Sequence, residues 1–219
     1  QTPLRALATL RPNVPAVVLV ASAVSTVVFS ATPFLIPGIA DVEGVPVGRV
    51  GLISTLQLGG FVVSSWGAGR ILRPRRRVMV IAILLGLVAN VASGLVGFSL
   101  LLPLRFLAGI SLGTVAWISW SEVFGDEDRS GDVAVVGPIV GSVAAPVIAS
   151  VIDASGPEQL FFLLGALHLV PLLFIRTARF AAPERPRSER HRPVPAAFVL
   201  LIALGLLTLG GTSVFVFAG

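Results

Sequence analysis

The chain contains 219 residues, of which 55% are hydrophobic and only 12% are charged, about half the charged fraction of a typical soluble domain. It contains no cysteine and no lysine. The missing thiols exclude thiolate catalysis and zinc–thiolate sites, and the missing amines exclude Schiff-base chemistry and P-loop phosphate binding. We therefore expect no metal and no cofactor.

Long uncharged runs divide the chain into predicted membrane-spanning helices. A helix needs about 20 apolar residues, each rising about 1.5 Å, to cross about 30 Å of hydrocarbon. The predicted helices cover approximately residues 14–39, 48–69, 78–97, 99–122, 132–152, 158–176 and 196–218. The sequence therefore predicts an all-α polytopic membrane protein.

The distribution of arginine predicts how these helices are oriented. If the N-terminus is cytoplasmic, every basic residue except Arg49 and Arg105 belongs to an inside segment. Cytoplasmic loops carry the excess of basic residues in membrane proteins, so this orientation is the predicted one. Because the arginines cluster between apolar runs, the net charge of +5 indicates membrane loops and not a nucleic-acid interface.

The first two predicted helices and their connection carry a family resemblance. Pro33 and Pro37 lie near the outer end of the first helix, a short polar loop follows, and Gly48 and Gly51 open the second helix. This stretch resembles the major facilitator superfamily of secondary transporters. The resemblance implies two six-helix bundles with a central cavity, which alternates its access as the bundles rock.

The loop between the second and third helices resembles a signature of that family in part. Ile71 replaces the aspartate of the signature and Pro74 replaces its second glycine. In the family that aspartate joins a cytoplasmic charge network between the two bundles, so the resemblance does not extend to this network. A generic basic membrane loop is the alternative. The matching residues are Gly67, Arg75, Arg76 and Arg77.

Small residues recur at every fourth position of the fifth predicted helix, and a proline interrupts them. The pattern is Gly137, Gly141, Ala145, Pro146 and Ala149. It resembles the antiporter motif of the same family, which implies export of a solute in exchange for protons. The alternative is ordinary packing between membrane helices through small residues.

An arginine lies within the fourth predicted helix. A charge at such depth costs about 2.5–3.5 kcal/mol or more, so Arg105 should face a cavity or a partner. Gly109, Leu112, Ala116 and Ser119 share its helical face and predict a cavity lining. The resemblance implies a role for this arginine in handling protons or substrate. Snorkelling to the headgroups is the alternative.

Polar side chains on other helices are further candidates. His168 in the sixth predicted helix is either part of a proton relay or a neutral hydrogen-bonded side chain. Trp117 and Trp120 either stack on a flat substrate or anchor the interface. The polar faces of the first two helices are Ser22, Ser25, Thr26 and Thr32, then Ser54, Gln57 and Ser64. We expect the substrate or proton pathway to use Arg105, Gln57, Ser119 and His168.

The expected organisation is a six-helix bundle over residues 1–176, a cytoplasmic arginine-rich linker over 177–195, and the first helix of a truncated second bundle over 196–219. The resemblance predicts secondary active transport of a small molecule, by proton-coupled export of a drug-like compound or metabolite. The expected location is a bacterial cytoplasmic membrane. The expected partners are the bilayer, the solute and protons, with no nucleic acid and no enzymatic activity.

Three alternatives to export stay open. One is uptake of a small organic solute by the same fold, and another is a seven-helix receptor. The third is an intramembrane hydrolase, because residues 109–113 match the pattern G-x-S-x-G, with Ser111 as nucleophile and His168 as base. That pattern normally requires a strand–turn–helix context, which a membrane helix does not offer.

Overall fold

The computed structural model describes residues 13–178 and Val199. The chain divides into two compact units, Gln1–Ala182 and Pro183–Gly219, and the described helices belong to the first. They are α1 (Ala16–Glu43), α2 (Val47–Val50), α3 (Leu52–Ile71), α4 (Arg76–Ser93), α5 (Phe98–Val123), α6 (Glu127–Ala134), α7 (Val136–Leu167) and α8 (Val170–Leu173). A 3₁₀ turn at Ile175–Thr177 follows them. The rest of the predicted linker and the predicted seventh helix lie outside the described residues.

Five stretches of the described chain are long and apolar enough to cross a membrane, with mean hydropathies from 1.3 to 2.1. They are Ala16–Glu43, Val47–Ile71, Arg76–Ser93, Phe98–Val123 and Glu127–Leu173. The described part of the chain contains no β-strand. The all-α prediction is thereby confirmed for the described residues, and the five helices fit a multi-pass membrane protein, whereas the family-type bundle stays a prediction.

The last stretch contains two helical segments joined at Gly156. This residue has φ 84° and ψ 173°, a backbone conformation that only glycine adopts at low cost. Pro157 follows directly and has no N–H for the helical ladder. We call the segment before the break α7a (136–155) and the segment after it α7b (157–167).

Contacts with α1 show that the chain reverses its direction at this break. α7a starts beside Thr26 and ends beside Gly38, so it runs in the same direction as α1. The chain then returns to the start of α1, where the Val17 N–H donates to the Thr177 hydroxyl over 3.1 Å. The two segments correspond to the fifth and sixth predicted helices.

Helices α3 and α5 touch through their backbones at three glycines. A Cβ atom on Gly109 would overlap the Gln57 carbonyl, and one on Gly113 would overlap the Phe61 carbonyl. A Cβ atom on Gly60 would likewise overlap the backbone of α5. Gly109 was predicted to line a cavity. That prediction is wrong, because the backbone of α3 covers this face.

Helix α6 begins in the predicted connection between the fourth and fifth helices, five residues before the predicted start of the fifth at residue 132. The Asp126 carboxylate caps it by accepting a hydrogen bond from the Arg129 N–H over 3.1 Å. Arg129 also donates to the Asn13 carbonyl over 3.1 Å and pairs with Glu122 over 3.6 Å. The Asn13 N–H donates to the Asp132 carboxylate over 3.2 Å, so the start of α1, the end of α5 and α6 are tied together.

The glycine contact predicts opposite effects for two matched substitutions. Gly109→Ala should destabilise the protein by about 1–3 kcal/mol, because a backbone carbonyl occupies the space and no side chain can move aside. Gly67→Ala meets nothing within 4 Å and should be neutral or stabilising by up to about 1 kcal/mol. Thermal unfolding in detergent measures both, and equal midpoints would contradict the close contact.

Candidate functional site

Two sizeable cavities lie among the described helices. The larger has a volume of about 520 Å³, lies between α7a, α7b and Val27, and is lined only by apolar side chains. The smaller has a volume of about 290 Å³ and lies between α1, α3, α5, α6 and α7a. We call it the hydroxyl cavity. Its lining consists of Ser22, Ser25, Thr26, Phe29, Ser30, Phe61, Val115, Ala116, Trp120, Val133, Ala134 and Gly137.

Helix α1 supplies the polar wall of the hydroxyl cavity. Its hydroxyl-bearing residues follow one another at helical spacing, so they share one face. The Thr26 hydroxyl donates to the Ser22 carbonyl over 3.0 Å. The hydroxyls of Ser22, Ser25 and Ser30 make no hydrogen bond to any described residue, so they remain available to a solute or water. Thr32 is buried instead and bonds the Val28 carbonyl.

Aromatic rings form the other distinctive part of the lining. Phe29 of α1 and Phe61 of α3 pack edge to face, with ring centroids 5.2 Å apart and planes at 81°. Trp120 of α5 is 46% exposed and lines the cavity between α1 and α6. Trp117 does not line it, since its indole lies against Gly69 of α3. The cavity thus offers flat apolar surfaces beside a row of hydroxyls.

The small-residue pattern of α7a lies against this site. Gly137 belongs to the lining, and Gly141 lies beside Thr26 and Ser30 of α1. Ala145 and Ala149 continue the same half-buried stripe, and Pro146 is exposed. The absent side chains at the two glycines let α7a approach α1 closely. The pattern therefore packs one wall of the cavity, whether or not it has an antiporter role.

The matched residues of the loop signature lie apart from the cavity. Gly67 has open space beside it, and Arg75 immediately precedes α4. Arg76 donates to the Arg176 carbonyl over 3.4 Å, which connects α4 to the end of the described chain. Arg77 is exposed.

Arg105 is fully buried between α4 and α5 and does not line the hydroxyl cavity. Its Nη2 donates to the Ser93 hydroxyl over 2.7 Å and to the Ala89 carbonyl over 3.3 Å. Both Nη atoms donate to Asn90 Oδ1 over 3.2 Å. The guanidinium carbon lies 4.8 Å from the centre of the Phe161 ring of α7b. Within the described chain, neutral groups alone hold this cation.

His168 and Ser111 lie together beside Gly86 of α4. His168 Nδ1 donates to the Leu164 carbonyl over 2.7 Å, and its Nε2 lies beside Gly86 together with the Ser111 hydroxyl. Ser111 is fully buried and donates to the Ala82 carbonyl over 2.7 Å. Ser111 and His168 are thus close together, as the hydrolase alternative requires. Neither of the cavities described above reaches Ser111, however.

Gln57 and Ser119 are buried and likewise outside the cavity lining. Neither polar atom of the Gln57 amide has a hydrogen-bond partner, and the Ser119 hydroxyl has none, among the described residues. Such unpaired groups are costly in an apolar interior. None of the four predicted pathway residues therefore lines the hydroxyl cavity.

Sequence reasoning missed Ser30, Phe29 and Phe61, which the structure brings to the hydroxyl cavity. Ser30 follows Thr26 by four positions, so the helical spacing of the α1 hydroxyls was a usable signal. The two phenylalanines come from different helices, and their pairing has no signal in the spacing along one helix.

The hydrogen bonds around Arg105 predict that two substitutions lower the free energy of unfolding by different amounts. Asn90→Ala removes hydrogen bonds from a buried cation and should destabilise the protein by about 3 kcal/mol or more. Arg105→Met removes the charge at similar volume and should cost less. Thermal unfolding compares both with Asn13→Ala, an exposed asparagine. If Asn90→Ala unfolds no earlier than Asn13→Ala, the cluster does not hold α4 to α5.

Comparisons with known proteins do not assign this chain to a family. No protein-family model matches the sequence, and neither a curated protein nor a solved structure matches it significantly. The function of the chain must therefore be argued from its membrane-spanning helices and from the hydroxyl cavity.

Proposed function

We propose that the protein is a secondary active transporter that carries a small molecule across the membrane through the hydroxyl cavity. The observation that carries this proposal is the row of unpartnered α1 hydroxyls facing a partly open space of about 290 Å³. Polar groups within membrane helices are costly, and they commonly mark solute or ion pathways. Hydroxyls needed only for helix packing would bond to a neighbouring helix.

The position of the cavity along the helices suits access from one side at a time. Its α1 residues come from the first half of that helix, and Val133 and Ala134 belong to the short helix α6 at the same end of the bundle. Phe29 and Phe61 pair at the opposite end of the cavity, near the middle of α1. Movement of this pair would open the cavity towards the other side of the membrane.

Proton coupling and the direction of transport rest on the resemblance of the α7a pattern to the antiporter motif. Arg105 and His168 are the ionisable side chains buried within the described chain. His168 is the candidate that can gain or lose a proton, and Arg105 is a permanent positive charge that can pair with an anionic group. On the same resemblance we propose export, and the composition, whose basic residues are nearly all arginine, favours a bacterial cytoplasmic membrane. The arginine distribution supports a cytoplasmic N-terminus.

The structure offers less support to the alternatives. A hydrolase would need Ser111 to meet its substrate and water, but this serine is fully buried and its hydroxyl is bonded to a carbonyl of α4. A receptor needs a pocket that opens to one side only, whereas a transporter must open its pocket to both sides in turn. Accessibility from the two sides therefore separates these functions.

Cysteine labelling tests this proposal directly because the 219 residues contain no cysteine, and any cysteine outside them is first replaced by serine. The complete protein carrying Ser25→Cys is treated with a membrane-impermeant maleimide, in intact cells and in inverted membrane vesicles. We expect labelling from both sides, since alternating access exposes the cavity to each aqueous phase. A transmembrane proton gradient should shift the ratio of the two labelling rates if transport is proton-coupled.

The matched control is Val62→Cys, at a position of α3 that is 60% exposed and lines neither cavity. In lipid its thiol should resist the maleimide from either side, because the reaction requires a hydrated thiolate. Labelling of Ser25→Cys from one side only would contradict alternating access and favour a receptor. No labelling at all would show that the cavity is dry and would contradict transport through it.

A further inference from the structure

We infer that the hydroxyl cavity selects an uncharged, planar solute that carries a hydrogen-bond donor and acceptor at its edge, as in an aromatic amide or a phenol. This inference rests on the proposed function, because it assigns a substrate class to the same cavity. It draws on three properties of the lining: its charge, its flat surfaces and its hydroxyls.

The lining contains no ionisable side chain. Arg105 bonds to groups on α4, and His168 lies beside Gly86 of the same helix, so neither charge reaches the cavity. A charged solute that entered would lose its hydration without gaining a counter-charge, which is strongly unfavourable in an apolar bundle. The cavity therefore favours a neutral solute.

The apolar part of the lining is flat. The rings of Phe29, Phe61 and Trp120 supply aromatic surfaces, and aromatic groups pack well against such faces or edges. Ala116 and Gly137 project little or nothing into the space between them. A planar ring can thus pack between the aromatic side chains. Aromatic faces also attract cations, so a planar cation is the competing class that the test must include.

The hydroxyl row provides the polar contacts. Each serine hydroxyl donates one hydrogen bond and accepts others, so Ser22, Ser25 and Ser30 can serve both a donor and an acceptor of the solute. A pure hydrocarbon that displaced the water would leave these groups unpaired, at a cost that a matching polar edge avoids. The volume of about 290 Å³ lies at the lower end of small-molecule sites, which favours one or two rings.

Three isosteric probes separate the charge classes: benzamide is neutral, benzamidinium is cationic and benzoate is anionic. The complete protein carrying Ser25→Cys is labelled with maleimide in inverted vesicles, with each probe present in large excess. We expect benzamide to slow the labelling several-fold, because it occupies the space beside the thiol. Benzamidinium and benzoate should leave the rate unchanged.

A second substitution tests the aromatic contact. Ser25→Cys combined with Trp120→Leu should still be labelled but should lose most of its protection by benzamide. The control is Ser25→Cys combined with Trp66→Leu, which removes a tryptophan that is 67% exposed and lies outside the cavity. This control should keep the protection.

The outcomes distinguish this inference from the proposed function. Protection by benzamidinium or benzoate as strong as that by benzamide would overturn the neutral class, and so would no protection by benzamide. In either case the labelled cysteine would still show a hydrated cavity, and the proposed transport would be decided by the labelling from both sides described above. Absence of labelling without any probe would instead overturn the proposed function itself.

Discussion

The backbone contact between α3 and α5 is the constraint on which the remaining arrangement depends. Lipid is as apolar as the side chains, so membrane helices gain little from hydrophobic burial and associate through close packing. Gly60, Gly109 and Gly113 permit that packing because no side chain separates the two backbones. The contact fixes Phe61 of α3 beside Ala116 of α5, and these two residues form part of the cavity wall.

Different faces of helix α5 contact different parts of the bundle. Gly109 and Gly113 face α3, Arg105 and Ser111 bond to α4, and Trp120 lines the hydroxyl cavity. The buried cation makes its hydrogen bonds on the α4 side and does not touch the cavity lining. The neutral lining of the hydroxyl cavity and the buried ionisable side chains thus belong to one bundle but do not touch. Any coupling between them must pass through the position of α5 itself.

The sequence predicted the spans well, since the thickness of the hydrocarbon sets the length of an apolar run. It did not predict α6, whose helix depends on the Asp126 cap and on contacts with Asn13. Spacing identified Ser22, Ser25 and Thr26 as a polar face, and that face does line the cavity. The assignment of Gly109 to a cavity failed because periodicity on one helix cannot tell which neighbour covers its face.

The hydrogen bonds at the α6 end of the bundle are weaker than the backbone contact between α3 and α5. This difference indicates which helices can move. The bonds from Asn13 and Arg129 are exposed, and exposed charged pairs contribute about 1 kcal/mol or less. The α3–α5 contact, by contrast, is a packed interface of backbone atoms that cannot slide without loss. If the cavity carries the proposed solute, α1, α6 and α7a are therefore the helices expected to shift against the α3–α5 pair. The serines of α1 would move with these helices, and the aromatic rings of α3 and α5 would stay in place.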